Sequence, residues 1–261
     1  MSGSIALALL GAGTSSSASV DGATAVLALR RASRADAETK GVGQMAKDSS
    51  VKLAIARFTE GVSRAKDVQA ALRDPRVLTV LLPALGLPDA VDMPGLAARA
   101  LASDPADAGS VASRLSDTRW KSAAATLNLA ARGMDALRDP AVQNKLASSY
   151  TAYQWRLSKD TEAGGISDAL YFRNRMATGK ALGVYEVLGN SVLRRVVTGA
   201  LGLPDALAIQ EVTTQARAVT SRLDLSKLTD PRQATKLAER YIMAANGGAG
   251  GNATSLLSLL T

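Results

Sequence analysis

Ala84-Leu-Gly-Leu-Pro-Asp-Ala90 and Ala200-Leu-Gly-Leu-Pro-Asp-Ala206 are the same seven residues, 116 positions apart in a chain of 261. Identity over seven residues in register is a strong sign of an internal repeat, and its flanks agree. Upstream of the first copy, Phe58 opens a segment running through Leu72, Val77 and Val80. Upstream of the second, Phe172 opens one running through Leu188, Leu193 and Val196. Downstream, Leu115-Ser-Asp-Thr-Arg119 is matched to Leu228-Thr-Asp-Pro-Arg232 at the shorter offset of 113. The pattern predicts a duplicated multi-helix unit. Phe58 with Leu85, and Phe172 with Leu201, are the expected core residues of the two copies.

Helix punctuation explains why the block recurs. Gly86 and Gly202 can take the left-handed backbone that closes a helix, and Pro88 and Pro204 prevent its continuation. Asp74-Pro75, Asp104-Pro105, Asp139-Pro140 and Asp230-Pro231 carry the matching start signal. An aspartate accepts bonds from free amides of the first turn, and proline is favoured at the first helical position. A phosphate-cradling role for the glycines would need a Gly-rich turn between a strand and a helix, which this pattern lacks.

Composition agrees with helices. Hydrophobic residues make up 47% but aromatics only 3%, with two phenylalanines in the whole chain. A core of Leu, Val, Ala and Ile suits close-packed helices, whereas sheets draw more on β-branched and aromatic residues. Helical spacing recurs over 23–40, 51–68 and 134–185, the last broken at Gly164-Gly165. The expected organisation is an N-terminal tail over 1–20, a helix and connection over 21–50, and repeat unit 1 over 51–130. A connecting helix over 131–164, repeat unit 2 over 165–244 and a Gly-rich tether with an apolar tip over 245–261 complete it.

Histidine and cysteine are both absent. Thiolate nucleophiles, disulfides and thiolate metal sites are therefore excluded, and so are the commonest neutral-pH base and metal ligand. No spaced acidic loop, nucleophile elbow, Walker or dinucleotide-binding pattern appears, so neither a cofactor nor a metal site is expected. The net charge of +8, from 31 Lys and Arg against 23 Asp and Glu, favours acidic partners. Without a dense basic run or interleaved aromatics, solvated helix faces are a better reading than a nucleic-acid surface.

Both ends carry apolar tips beyond Gly- and Ser-containing stretches: Ile5, Leu7, Leu9 and Leu10, then Leu256, Leu257, Leu259 and Leu260. Neither is long enough to span a bilayer. The run from Ile5 to Gly13 lacks the preceding basic residues of a cleaved signal. Two readings stay open, tips tucked onto the body and tips packed against partner subunits.

A family resemblance rests on Phe58, Ala71-Leu-Arg-Asp-Pro75, the first Ala-Leu-Gly-Leu block, Asp104-Pro105 and Leu115 to Arg119. In the second half it rests on Ala169-Leu-Tyr-Phe-Arg173, Leu188, the second block, Gln215, Asp230-Pro231 and Arg240. In this order they resemble an uncharacterised alphaproteobacterial family, a domain of unknown function encoded among flagellar genes. The likeness spans about 51–242 and departs at Leu85, where similar proteins often carry Phe. It implies a soluble, non-enzymatic structural or assembly component, in the flagellum or the cytoplasm, contacting flagellar proteins or copies of itself. If axial, it would be exported without a cleaved signal. The family assigns no catalytic residues, so none are carried over. A basic cytoplasmic module for nucleic acid or another anionic polymer is the alternative. It gains if Arg30, Arg31, Arg34, Lys180, Arg194 and Arg195 share one face.

Overall fold

A computed structural model describes residues 20–247, and every regular element among them is a helix. The eight candidate contact residues of the two apolar tips lie outside the described residues. Helices of eight residues or more are labelled α1 to α11, and single turns are named by their residues. None of the described helices is long and apolar enough to cross a membrane.

The first half is built on α1 (Gly22–Ala32), α2 (Ala35–Met45), α3 (Ser49–Arg64), α4 (Pro75–Ala84), α5 (Pro94–Leu101), α6 (Arg119–Leu127) and α7 (Pro140–Ser158). The second half contains α8 (Ile166–Met176), α9 (Ser191–Ala200), α10 (Val212–Thr220) and α11 (Pro231–Asn246). Apolar spacing decides what each helix buries. In α11, Ala234, Leu237, Ala238, Tyr241 and Ile242 follow the i, i+3, i+4, i+7, i+8 stripe, and all five are buried. In α3, Val51, Phe58, Gly61 and Val62 make the inner face, with Asp48 accepting from the Ser50 and Val51 amides at the start.

Two hydrophobic cores result. Phe58, Leu72, Leu81, Leu82, Leu101 and Leu137 fill the first, and Ile166, Phe172, Val196, Val197 and Ile242 lie in the second. Phe58 and Phe172 are 0% and 1% exposed. The glycine blocks close α4 and α9 with one bonding pattern. In the first, the Gly86 and Leu87 amides donate to Pro83 O and Leu82 O at 3.0 and 2.8 Å; in the second, Gly202 and Leu203 donate to Gly199 O and Thr198 O at 3.1 and 2.9 Å. Both glycines have positive φ, 78° and 62°. Pro88 opens a short 3₁₀ turn, Pro88–Ala90, and Pro204 precedes another, Asp205–Ile209. Asp74 and Asp230 accept from the Arg76 and Arg232 amides at 2.9 and 2.8 Å, with Pro75 and Pro231 in first helical position.

Three expectations are corrected. Leu85 and Leu201 are the C-caps of α4 and α9 and only half-buried, because the apolar contact of such a cap falls to the residue after the glycine. Leu87, in that position, is 1% exposed, whereas its counterpart Leu203 is half-buried against the second core. Asp104 accepts from the Ala106 amide at 2.8 Å but starts a turn, not a helix.

The third correction concerns the connecting helix over 131–164. Its main part, α7, packs along α4 and sends Leu146 and Tyr150 into the first core, as α11 packs along α9 and sends Leu237 and Tyr241 into the second. The sequences agree once they are aligned that way. Leu137-x-Asp-Pro140 with Lys145-Leu-Ala147 and Tyr150 recurs as Leu228-x-Asp-Pro231 with Lys236-Leu-Ala238 and Tyr241, at an offset of 91. The first copy therefore runs to α7, and carries 25 residues more than the second between its glycine block and its last helix.

Candidate functional site

A cleft of about 410 Å³ opens where the two halves meet. Its walls come from the first glycine block, the end of α7, the start of α8 and the face of α9. Apolar surface is supplied by Pro83, Leu157 and Val192, and polar groups by Asp89, Arg156, Asp160, Asp168, Arg195 and three tyrosines.

Arg119, at the start of α6, holds the two halves together beneath this cleft. Its side chain is 8% exposed. Its guanidinium donates to Gly86 O at 2.6 Å, to both Asp117 oxygens and to Ser191 Oγ at 2.8 Å. Ser191 Oγ in turn donates to Asp89 Oδ2 at 2.8 Å. The left-handed turn of the first block is thereby tied to the N-terminus of α9 in the second half. Burial works against the Arg119 cation most strongly of any one cause, but the bonds and charge of Asp117, with Tyr171 and Asp89 beside it, together raise its pKa. Sequence reading noticed Asp117 and Arg119 only as part of a repeated motif. Their spacing is the one signal that could have marked them, since Asp117 accepts from both the amide and the side chain of Arg119.

The remaining acids of the cleft are also engaged. Asp168 accepts Arg195 Nε and Nη2 at 2.6 and 3.1 Å and the Tyr241 hydroxyl at 3.2 Å. That pairing holds Arg195 far above its ordinary pKa, while burial, helped by Asp168, pushes the Tyr241 hydroxyl well up. Asp160 accepts from the Ser167 amide at 2.8 Å and from its hydroxyl. Asp89 takes Ser191 and stands 3.5 Å from Arg119. Each carboxylate here is thus held by hydrogen bonds to neighbouring side chains or amides. No group of three or more acidic side chains gathers among the described residues as a metal site would need.

A larger depression, about 540 Å³, lies between α2 and the end of α7 beside Trp155. Its cations are paired: Arg31 and Lys159 reach Glu162 at 3.7 and 2.9 Å, and Lys40 reaches Asp36 at 2.6 Å. Of the other cations singled out by sequence, Arg30 makes a two-point pair with Glu239 and Lys180 reaches Glu186 at 3.5 Å. The core and punctuation residues of the two repeats do not assemble into one site, although Gly86 and Pro88 line the inter-half cleft.

Comparison with known proteins agrees with this architecture. Residues 84–234 match the family described as Protein of unknown function (DUF1217), a span that starts at the first residue of the first glycine block and ends within α11. A crystal structure of protein AGR_C_984 from Agrobacterium tumefaciens has a similar fold, with a TM-score of 0.67 and 23% identity over 85% of this chain and 93% of that one. No curated protein matches.

Proposed function

We propose that this chain, which belongs to the DUF1217 family, is a non-enzymatic structural or assembly component of the bacterial flagellum acting through protein–protein contacts. The flagellar part of this reading rests on the family resemblance carried by the two glycine blocks and their flanking residues. The contact part is supported by two exposed apolar side chains at equivalent places. Met93 and Ile209 each lie nine residues after the first alanine of their block, and are 44% and 90% exposed. Val212, 47% exposed, follows Ile209 closely. Burying such a side chain against a partner stabilises by about 1.5–3 kcal/mol before ordering costs, and repeated contacts add in an assembly. The apolar tips of the sequence belong to the same proposal as further contacts.

Engaged acids in the cleft support the non-enzymatic side of the reading. The anionic-polymer alternative is disfavoured because Arg30, Arg31, Lys180 and Arg195, four of the six cations singled out for it, are already in ion pairs. The test is to tag the chain, isolate intact flagella with their basal structures, and compare them with the cytosolic fraction. The wild type should co-purify with flagella, and the double variant Met93→Asp, Ile209→Asp should be lost from them with an unchanged melting curve. Recovery from cytosol alone, or equal recovery of the variant with flagella, overturns the proposal.

A further inference from the structure

Among the polar groups of the inter-half cleft, one cation lacks a hydrogen bond. Arg156, in the last turn of α7, has a side chain only 18% exposed, yet its guanidinium donates to no described residue. Its nearest carboxylate is Glu38 of α2, at 3.9 Å, beyond hydrogen-bond reach. The Glu38 oxygens already accept from the Asn174 amide at 3.3 Å. Burial depresses the Arg156 pKa more than Glu38 restores it, so the cation is under-compensated where it sits. Arg195 in the same cleft shows the opposite balance, because Asp168 grips it at two points.

A second donor stands near it. Tyr153, one turn before Arg156 on α7, is half-buried and its hydroxyl bonds to no described residue. The acids of the cleft do not offer what these donors lack, since each is held by its own partners. What is missing beside Arg156 is an anionic acceptor. A guanidinium presents its N–H groups as a planar fork that matches the two oxygens of a carboxylate. Pro83, Leu157 and Val192 add apolar wall, and Leu157 is 41% exposed at present. A volume of about 410 Å³ exceeds what an inorganic anion fills and falls in the range of small-ligand sites.

We infer that this cleft binds a carboxylate carried on a small apolar body, its oxygens on Arg156 and Tyr153 and its body against Pro83, Leu157 and Val192. The site is independent of the assembly reading, and either can fail without the other. The same chemistry could come from a free organic acid or from an acidic side chain in a partner, and two probes separate them. N-acetyl-leucine presents a free carboxylate, and the blocked dipeptide acetyl-Leu-Asp-amide presents one on a side chain. N-acetyl-leucinamide is the neutral match of the first.

The experiment is a titration of the full chain, followed by calorimetry and by the side-chain Nε–H resonances of its arginines. At least one acid should bind saturably and shift Arg156, and the neutral amide should bind about tenfold more weakly or worse, as expected for losing a charged hydrogen-bond pair. Preference for N-acetyl-leucine would assign a free acid, and preference for the dipeptide a protein partner. Arg156→Gln should erase the preference for acid over amide. Equal binding of acid and amide, shifts that spare Arg156 in the wild type, or equal binding of inorganic phosphate would each overturn the inference. The wild-type shifts decide even if the variant fails to fold.

Discussion

Gly86 and Gly202 occupy the same conformation for the same reason, but their surroundings differ. Gly86 sends its carbonyl to Arg119 and lies near Tyr171, whereas a side chain at Gly202 would meet nothing within 4 Å. Any penalty for a substitution at Gly202 therefore comes from its backbone, at φ 62°. Gly202→Val should destabilise by about 1–3 kcal/mol, because a β-branched residue resists the left-handed region. Gly202→Asn should cost clearly less, since asparagine visits that region more readily. Urea unfolding of the two variants checks this, and equal midpoints would mean the block closes its helix by some other means. At this scale much was legible: glycine, proline and aspartate act on their immediate neighbours, so their roles follow from local chemistry. The burial of Leu85 and Leu201 was not, because depth depends on which residue of a cap faces the core.

Elements are harder to align than residues, and the repeat shows why. The motif Leu-x-Asp-x-Arg at 115–119 and 228–232 is cap chemistry, which recurs wherever a helix begins and so carries little register. The true partner of α11 is α7, recognisable by a whole buried face: Leu146 with Leu237, and Tyr150 with Tyr241. That face was present in the sequence, but 25 extra residues in the first copy hid it from a search at a constant offset. The caps themselves carry a prediction. Bonds to Ser50 hold Asp48 below the usual carboxylate range, those to Arg76 do so for Asp74, those to Arg132 for Asp139, and those to Ser226 for Asp224. A folded pKa below the unfolded one means stability that is fully present above the unfolded value and lost as pH falls through the folded value. The melting temperature should therefore drop below about pH 4. With no histidine to titrate, it should stay nearly flat from pH 5 to 8. A melting curve series checks both limbs, and a step between pH 6 and 7 would contradict this account.

Over the whole molecule the chain does not divide into halves in the order of its sequence. The first helix, α1, packs on α11 and α8, and its Ala25, Val26, Ala28, Leu29 and Ala32 lie in the second core. The first core begins only with α3, and α2, which buries no residue of its own, bridges the two along α7. The second half is thus completed by a helix from the other end of the chain. The cleft is similarly non-local: Asp89, Arg156, Asp168 and Arg195 come from four segments, so no spacing in the sequence announces it. Leu29 tests this arrangement. It is 1% exposed, and Leu29→Ala should cost about 2–5 kcal/mol through lost contacts and the cavity left behind. Because the leucine belongs to the second core alone, the loss should be local before it is global. Amide exchange should accelerate in α8, α9 and α11, while α3, α4 and α5 keep their protection. Equal acceleration in both sets would mean that the Arg119 bonds fuse the cores into one cooperative unit. Acceleration confined to α3 and α4 would mean that α1 serves the first core instead.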